Sequence, residues 1–179
     1  MSKKVLVIST SPRKGSNSEA LCDEFARGAQ ESGNEVEKVS LAGKDIRFCR
    51  GCFVCQKTQR CLIRDDADLI EQKMEHADVL VFATPIYYYE MSGQMKTMLD
   101  RGNPLFTTDY AFRDVYLICT AAEDTDHVWQ RAKSGLEGWI ECFPKARFAG
   151  CVFGGGVTEP NAMQGNPAMT LAYEAGKNL

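Results

Sequence analysis

The chain has 179 residues, of which 44% are hydrophobic and 25% are charged, with a formal net charge of −3. These values are typical of a globular protein and exclude a disordered or fibrous chain. The charges of both signs are interspersed, so the composition offers no basic surface for nucleic acid or for an anionic membrane. The apolar run at residues 79–83 is too short to cross a bilayer, and the chain opens into an apolar run without a signal peptide. We therefore expect a cytoplasmic protein of one domain over residues 1–179, with no nucleic-acid or membrane partner.

The chain begins with a strand pattern followed by a polar loop. Residues 5–8 form an apolar, β-branched run that is typical of a buried parallel strand. Ser16 and Glu19 have the spacing of a capping box, which predicts a helix that starts near Asn17. Free backbone N–H groups and the helix dipole make such a strand–loop–helix junction an anion site. The side chains expected to contribute to it are Ser9, Ser11, Arg13, Ser16, Asn17 and Ser18.

The spacing of this loop narrows the kind of phosphate that it can bind. Gly15 is followed by Ser16 and not by lysine, so the loop lacks the Gly-x-x-x-x-Gly-Lys-Ser/Thr pattern of nucleoside triphosphatases. It also lacks the Gly-x-Gly-x-x-Gly turn that admits a dinucleotide pyrophosphate. A loop rich in hydroxyl and amide groups suits a single terminal phosphate, which indicates a mononucleotide such as FMN.

Strand and helix patterns alternate along the rest of the chain. Asp65 and Asp66 are interpreted as the start of a helix in which Leu69, Ile70 and Met74 face inward. Pro85 is expected to end the strand predicted at residues 79–84. Further strands are predicted at residues 35–41, 79–84, 115–120 and 146–153, and further helices at residues 92–101, 126–140 and 167–177.

This alternation predicts an α/β fold in which helices cover both faces of a parallel sheet. Five strands with a phosphate loop after the first match a flavodoxin-like three-layer sandwich with strand order 2-1-3-4-5. In that topology the loops after the first, third and fourth strands meet in one crevice. The third-strand loop is expected to hold a flavin ring through backbone donors and aromatic faces, although its tyrosines could instead pack in the core or against another subunit. The residues expected beside the ring are Pro85, Ile86, Tyr87, Tyr88 and Tyr89, with Thr120 and Ala121 opposite.

Residues 9–18, 84–88 and 93–101 carry a resemblance to the NADPH-dependent FMN reductase-like and iron–sulfur flavoprotein-like branch of the flavodoxin superfamily. Residues 172–177 are also similar to the end of these proteins. The resemblance implies that the first stretch binds the phosphate of FMN and that the second contacts the flavin ring. The chain departs from the family at residues 120–122, where glycines are frequent in the family.

Eight cysteines is a high number for this length, and four of them lie in a Cys-rich loop at about residues 45–66. Four thiolates can ligate a 4Fe-4S cluster, and the spacing resembles that of iron–sulfur flavoproteins. Zinc is an alternative, although structural zinc sites usually present two separated Cys-x2-Cys pairs. A further alternative is that the thiols bind no metal, because relatives with this fold carry similar loops without any cluster. The candidate metal ligands are Cys49, Cys52, Cys55 and Cys61, whereas Cys22, Cys119, Cys142 and Cys151 are expected to be small core residues.

The loops and the resemblance together predict an FMN-dependent oxidoreductase that uses NAD(P)H to reduce a quinone, a flavin or a similar small acceptor. The alternative is an electron-transfer iron–sulfur flavoprotein or redox-carrier module that receives electrons from a ferredoxin-like partner. Because the flavin carries the chemistry, no catalytic residue is assigned, and His76 and His127 are isolated. Aromatic and apolar residues beside the flavin site predict a homodimer or homotetramer.

Overall fold

A computed structural model describes residues 2–179 and contains one sheet of mostly parallel strands. The strands are β1 (Lys4–Ser9), β2 (Glu35–Ser40), β3 (Val79–Tyr87), β4 (Glu90–Met91), β5 (Asp114–Thr120) and β6 (Arg147–Gly154). The long strands are parallel and follow the order β2-β1-β3-β5-β6, while the short β4 pairs antiparallel with the end of β3. This order confirms the predicted flavodoxin-like arrangement 2-1-3-4-5.

Helices cover both faces of the sheet. They are α1 (Asn17–Glu31), α2 (Cys55–Thr58), α3 (Asp66–His76), α4 (Gly93–Arg101), α5 (Gln130–Ile140) and α6 (Pro167–Lys177). Because side chains alternate along a strand, Val5 and Val7 belong to the core that α1 and α6 cover, whereas Leu6 and Ile8 belong to the core that α3, α4 and α5 cover. Within residues 2–179, no helix has both the length and the apolar character needed to cross a membrane.

Side-chain caps begin the helices that the sequence predicts. The Oγ of Ser16 accepts a hydrogen bond of 3.1 Å from the N–H of Glu19, and Asp65 accepts one of 3.2 Å from the N–H of Ala67. Asp65 is thus the cap and Asp66 the first residue of α3, which confirms that the aspartate pair starts this helix. The carboxylate of Glu19 lies 3.5 Å from Lys38 Nζ, so it is used in an ion pair with β2.

Three local predictions are wrong. Pro85 does not end β3, because β1 pairs with β3 only as far as Ala83. No strand lies beside Pro85 on that side, so the N–H that proline lacks costs no hydrogen bond between strands. Leu69 is 57% exposed, since Ile70 and Met74 set the buried face of α3 and Leu69 lies one position away from it. Cys142 is exposed, because it lies just after the end of α5 and not on its buried side.

Candidate functional site

A cleft of about 250 Å³ lies at the carboxyl ends of β1, β3 and β5. The loops after these three strands form its walls, as the parallel topology requires. Of the residues predicted to bind a cofactor, the cleft is lined by Ser11, Arg13, Ser16, Asn17, Ser18, Pro85, Ile86, Tyr87, Thr120 and Ala121.

The first turn of α1 supplies amide donors to this cleft. Among residues 2–179, no hydrogen bond uses the backbone N–H groups of Asn17 or Ser18. The Oγ of Ser18 lies 3.4 Å from the Oγ of Ser16, so two hydroxyl groups stand beside these amides. Free amides at the positive end of a helix dipole are suited to binding an anion, and this end of the cleft can therefore hold a phosphate.

Two of the predicted side chains already have structural partners. Asn17 Nδ2 donates to Glu159 O at 2.9 Å, and Asn17 Oδ1 accepts from the N–H of Ala162 at 2.9 Å. Arg13 Nη1 donates to Thr158 O at 2.8 Å. These bonds hold the loop that follows β6 against the phosphate loop. The side chain of Asn17 therefore stabilises the cleft wall, while Arg13 keeps further N–H groups available.

The loop after β6 was not among the predicted parts of the site. Val157 and Thr158 line the cleft, and Ala122 lies next to the predicted Ala121. The sequence signal for this loop is the run of three glycines at residues 154–156. A Cβ on Gly155 would lie 2.6 Å from the Cα of Asp124, so only glycine lets this loop approach the loop after β5 so closely.

Three of the predicted cofactor residues lie outside the cleft lining. Ser9 is the last residue of β1 and is buried, and its hydroxyl has no hydrogen-bond partner among the described residues. Tyr88 and Tyr89 form the turn between β3 and β4, both with positive φ, and Tyr88 is 98% exposed. Such a backbone is strained for tyrosine, although it matches the tight turn of a short hairpin. The aromatic turn therefore reaches the cleft through Tyr87.

Tyr89 packs against the loop after β5. Its hydroxyl donates to Glu123 Oε1 at 2.8 Å, and its ring stacks on that of His127 with 5.7 Å between centroids. The carboxylate of Glu123 raises the pKa of the Tyr89 hydroxyl, because it accepts the phenolic proton and would repel a phenolate. Tyr89 thus connects two walls of the cleft from outside.

The four clustered cysteines line a second cavity, of about 310 Å³. Within residues 2–179, no group of three or more His, Cys, Asp or Glu side chains is drawn together closely enough to hold a single metal ion. Burial raises the pKa of the Cys55 thiol, and the other three thiols add to this effect. Basic side chains also line this cavity; they are Arg47, Arg50, Arg64 and Arg101.

An iron-sulfur flavoprotein of Archaeoglobus fulgidus is 39% identical over 101 residues, which are 56% of this chain and 46% of that protein. An iron-sulfur flavoprotein of Methanocaldococcus jannaschii is 40% identical over 102 residues, which are 57% of this chain and 53% of that protein. The chain therefore spans about half the length of these curated relatives.

Among solved structures, an NAD(P)H:quinone oxidoreductase from Methanothermobacter marburgensis superposes with a TM-score of 0.73 at 15% identity, covering 99% of this chain and 97% of that one. At this identity the likeness shows the fold alone. The family model described as NADPH-dependent FMN reductase matches residues 3–139, which include the phosphate loop, the Cys-rich loop and the loops after β3 and β5. This chain belongs to the NADPH-dependent FMN reductase family.

Proposed function

We propose that this protein is an FMN-dependent oxidoreductase that takes electrons from NAD(P)H and reduces a quinone, a flavin or a similar small acceptor. The proposal depends on one observation: free amide and hydroxyl donors at the start of α1 share a cleft with the loops after β3 and β5. Membership of the reductase family supports it. When bound, FMN supplies the hydride and electron chemistry, so no acid or base of the protein is required.

The residues of the cleft fit the parts of FMN. The N–H groups of Asn17 and Ser18, with the hydroxyls of Ser11 and Ser18, would bind the phosphate. The segment from Pro85 to Tyr87 would lie beside the ring, where a fixed proline and an aromatic side chain provide a flat, mostly apolar wall. The opposite wall, at residues 120–122, carries only small side chains and leaves the approach to the ring open.

Flavin binding tests this proposal directly. FMN and riboflavin are titrated separately into the purified full chain, and quenching of flavin fluorescence is followed. We expect Ser18→Ala to lower FMN affinity by about tenfold, since a hydrogen bond to a charged group contributes about 1.5–3 kcal/mol, and to leave riboflavin affinity unchanged. Ser134→Ala, on the exposed side of α5, is the matched control. Equal affinity of the wild type for FMN and riboflavin would contradict the proposal.

Turnover is measured with the FMN-loaded protein. NADPH and NADH are supplied in turn under anaerobic conditions, and bleaching of the flavin absorbance is followed before a quinone is added. We expect rapid bleaching by a reduced nicotinamide and rapid recovery on addition of the quinone. Slow bleaching by both nicotinamides, with rapid reduction by a ferredoxin-like donor, would instead favour the electron-carrier alternative.

The thiol cavity favours a second candidate function. We infer that Cys49, Cys52, Cys55 and Cys61 ligate a 4Fe-4S cluster that exchanges electrons with the flavin and with a ferredoxin-like partner. The shared cavity and its arginines support this inference, and the relatives of Archaeoglobus fulgidus and Methanocaldococcus jannaschii described above are named iron-sulfur flavoproteins. After anaerobic reconstitution with iron and sulfide, we expect about four irons per chain. Failure to retain iron and acid-labile sulfide would count against the cluster.

We further propose that the protein is a homodimer or homotetramer of the cytoplasm. Large apolar side chains stand exposed near the two cavities, including Phe48, Phe53, Leu62 and Tyr88. Exposed apolar patches of this kind often lie in subunit interfaces. All eight cysteines are free thiols, which fits a reducing compartment. Light scattering of the purified protein gives the molar mass, and the mass of a single chain would contradict the oligomer.

A further inference from the structure

The two ends of the Cys-rich loop are joined at a narrow neck. The N–H of Asp45 donates to Asp66 Oδ2 at 2.8 Å, and the N–H of Asp66 donates to Asp45 O at 3.0 Å. One step further into the loop, the N–H of Arg47 donates to Asp65 Oδ2 at 2.9 Å. Asp65, which caps α3, and Asp66, its first residue, therefore hold the chain entering the loop against the chain leaving it.

The guanidinium of Arg101 lies inside this neck. Arg101 is the last residue of α4, and its side chain is 0% exposed. Its Nη1 donates to Asp65 Oδ2 at 2.8 Å and to Arg47 O at 2.9 Å, and its Nη2 donates to Ile63 O at 3.2 Å. A planar guanidinium can bind acceptors on both sides of the neck at once, which a lysine ammonium cannot do with the same geometry.

The two carbonyl groups that Arg101 binds lie close to the outer cysteines. Cys49 follows Arg47 by two residues, and Cys61 precedes Ile63 by two residues. Arg101 also lines the cavity that contains all four thiols. One cation thus holds both flanks of the thiol set and adds positive charge to the same cavity.

We propose that Arg101 is the positioning residue of the four-thiol site. It holds Cys49 and Cys61 at a constant separation through the neck, and its positive charge would stabilise the negative charge of a cluster bound in the cavity. The consequence for a cluster rests on the proposed iron–sulfur function, whereas the closure of the loop is a property of the chain itself.

Two variants separate the shape of Arg101 from its charge. Arg101→Lys keeps the charge and loses the planar fork, and Arg101→Met loses both. Arg113→Lys is the matched control, because Arg113 also binds backbone carbonyls, those of residues 110–112, but lies outside the Cys-rich loop. Asp65→Asn serves as a further variant of the same junction in case Arg101→Met does not fold.

Hydrogen–deuterium exchange of the full chain measures the closure of the loop without any cluster. We expect faster exchange across residues 45–66 in both Arg101 variants and in Asp65→Asn, with exchange in the strands of the sheet unchanged. Arg113→Lys should leave this segment at the wild-type rate. Wild-type exchange of the loop in Arg101→Lys and Asp65→Asn would overturn the proposal.

The reconstituted protein gives the second readout. We expect iron to be held about 10- to 100-fold more weakly in both Arg101 variants, as is usual when a group that orients metal ligands is lost. The midpoint potential of the cluster should be more negative in Arg101→Met than in Arg101→Lys, because only the former loses the positive charge. Equal potentials in these two variants would overturn the electrostatic role.

The proposal of a cluster and the proposal for Arg101 can be contradicted independently. If the wild type retains no iron, the proposal of a cluster is wrong. Hydrogen–deuterium exchange of residues 45–66 alone then decides whether Arg101 positions the thiols. If the wild type retains iron and the Arg101 variants match it in iron affinity, potential and loop exchange, the cluster stands and the role of Arg101 is overturned.

Discussion

The hydroxyl of Tyr89 donates a hydrogen bond of 2.8 Å to Glu123 Oε1, and this bond joins two loops that form opposite walls of the cleft. Tyr89 lies two residues after Tyr87, which lines the cleft, and Glu123 directly follows Ala122, which also lines it. The Tyr89 backbone is in the left-handed region, with φ of 64°. The strain of this turn is therefore offset by contacts that set the spacing between the walls.

Tyr89→Phe should weaken FMN binding modestly. The variant loses one solvent-exposed hydrogen bond, so the affinity for FMN should fall only slightly, and it keeps the ring that stacks on His127. Fluorescence titration with FMN measures the change. The neighbouring Tyr88→Phe makes the same chemical change on a side chain that is 98% exposed, and its affinity should equal that of the wild type. Equal losses in both variants would contradict the role of the bridge.

Asn17→Ala should lower the stability of the protein more than its selectivity for phosphate. The variant removes two hydrogen bonds to the loop after β6, so the free energy of unfolding should fall by about 2 kcal/mol. Urea unfolding of the cofactor-free chain measures this loss, and the ratio of FMN to riboflavin affinity should change much less than in Ser18→Ala. A loss of phosphate selectivity at unchanged stability would show that Asn17 binds the ligand instead.

Gly176→Ala should destabilise the protein because α1 and α6 pack backbone to backbone at this position. A Cβ on Gly176 would collide with the carbonyl oxygen of Phe25. Overpacking of this kind costs about 1–3 kcal/mol or more. Gly138→Ala is the matched control in α5, where no atom lies within 4 Å of the added Cβ.

In the Gly138→Ala control, alanine is a better helix former than glycine, so the free energy of unfolding should rise by about 0.5–1 kcal/mol. Urea unfolding of the two variants gives the comparison. Similar unfolding free energies for both would mean that the contact between α1 and α6 can relax.

Glu71 should make stability depend on pH. Its side chain is buried in α3, 3.7 Å from Arg101 Nη2, and its Oε1 has no hydrogen-bond partner among the described residues. Burial raises its pKa from 4.5 to about 8, with a further increase from Asp68 and Asp65 that Arg101 and Arg64 oppose. Between these two pKa values the folded state keeps a proton that the unfolded state has lost.

The contribution of Glu71 to the free energy of unfolding therefore falls as the pH rises from 4.5 to about 8, and then stays level. Glu71→Gln removes this dependence, so the variant should gain stability relative to the wild type across that range. Asp65 and Asp68 have lowered pKa values and lose their contribution as the pH falls below their ordinary value of 3.8, but both proteins share them. Urea unfolding at several pH values tests this, and a difference independent of pH would contradict it.

Local sequence patterns determined the strands and the fold class, and they predict an anion site at the start of α1. A buried parallel strand, a capping serine and a polar loop are each short-range features, and the structure confirms the fold that they predict. The same patterns indicated Asp65 as a helix cap. They were local enough to be interpreted without knowing any distant contact.

The tertiary structure alone decided how individual side chains are used. Asn17 binds a loop about 140 residues away along the chain, and Arg101 binds carbonyl groups at Arg47 and Ile63. Tyr88 stands in solvent although it lies in an aromatic run beside the cleft. Each of these outcomes depends on which elements the sheet brings together, because a hydrogen bond or a buried charge needs a partner in space, and sequence spacing does not specify that partner.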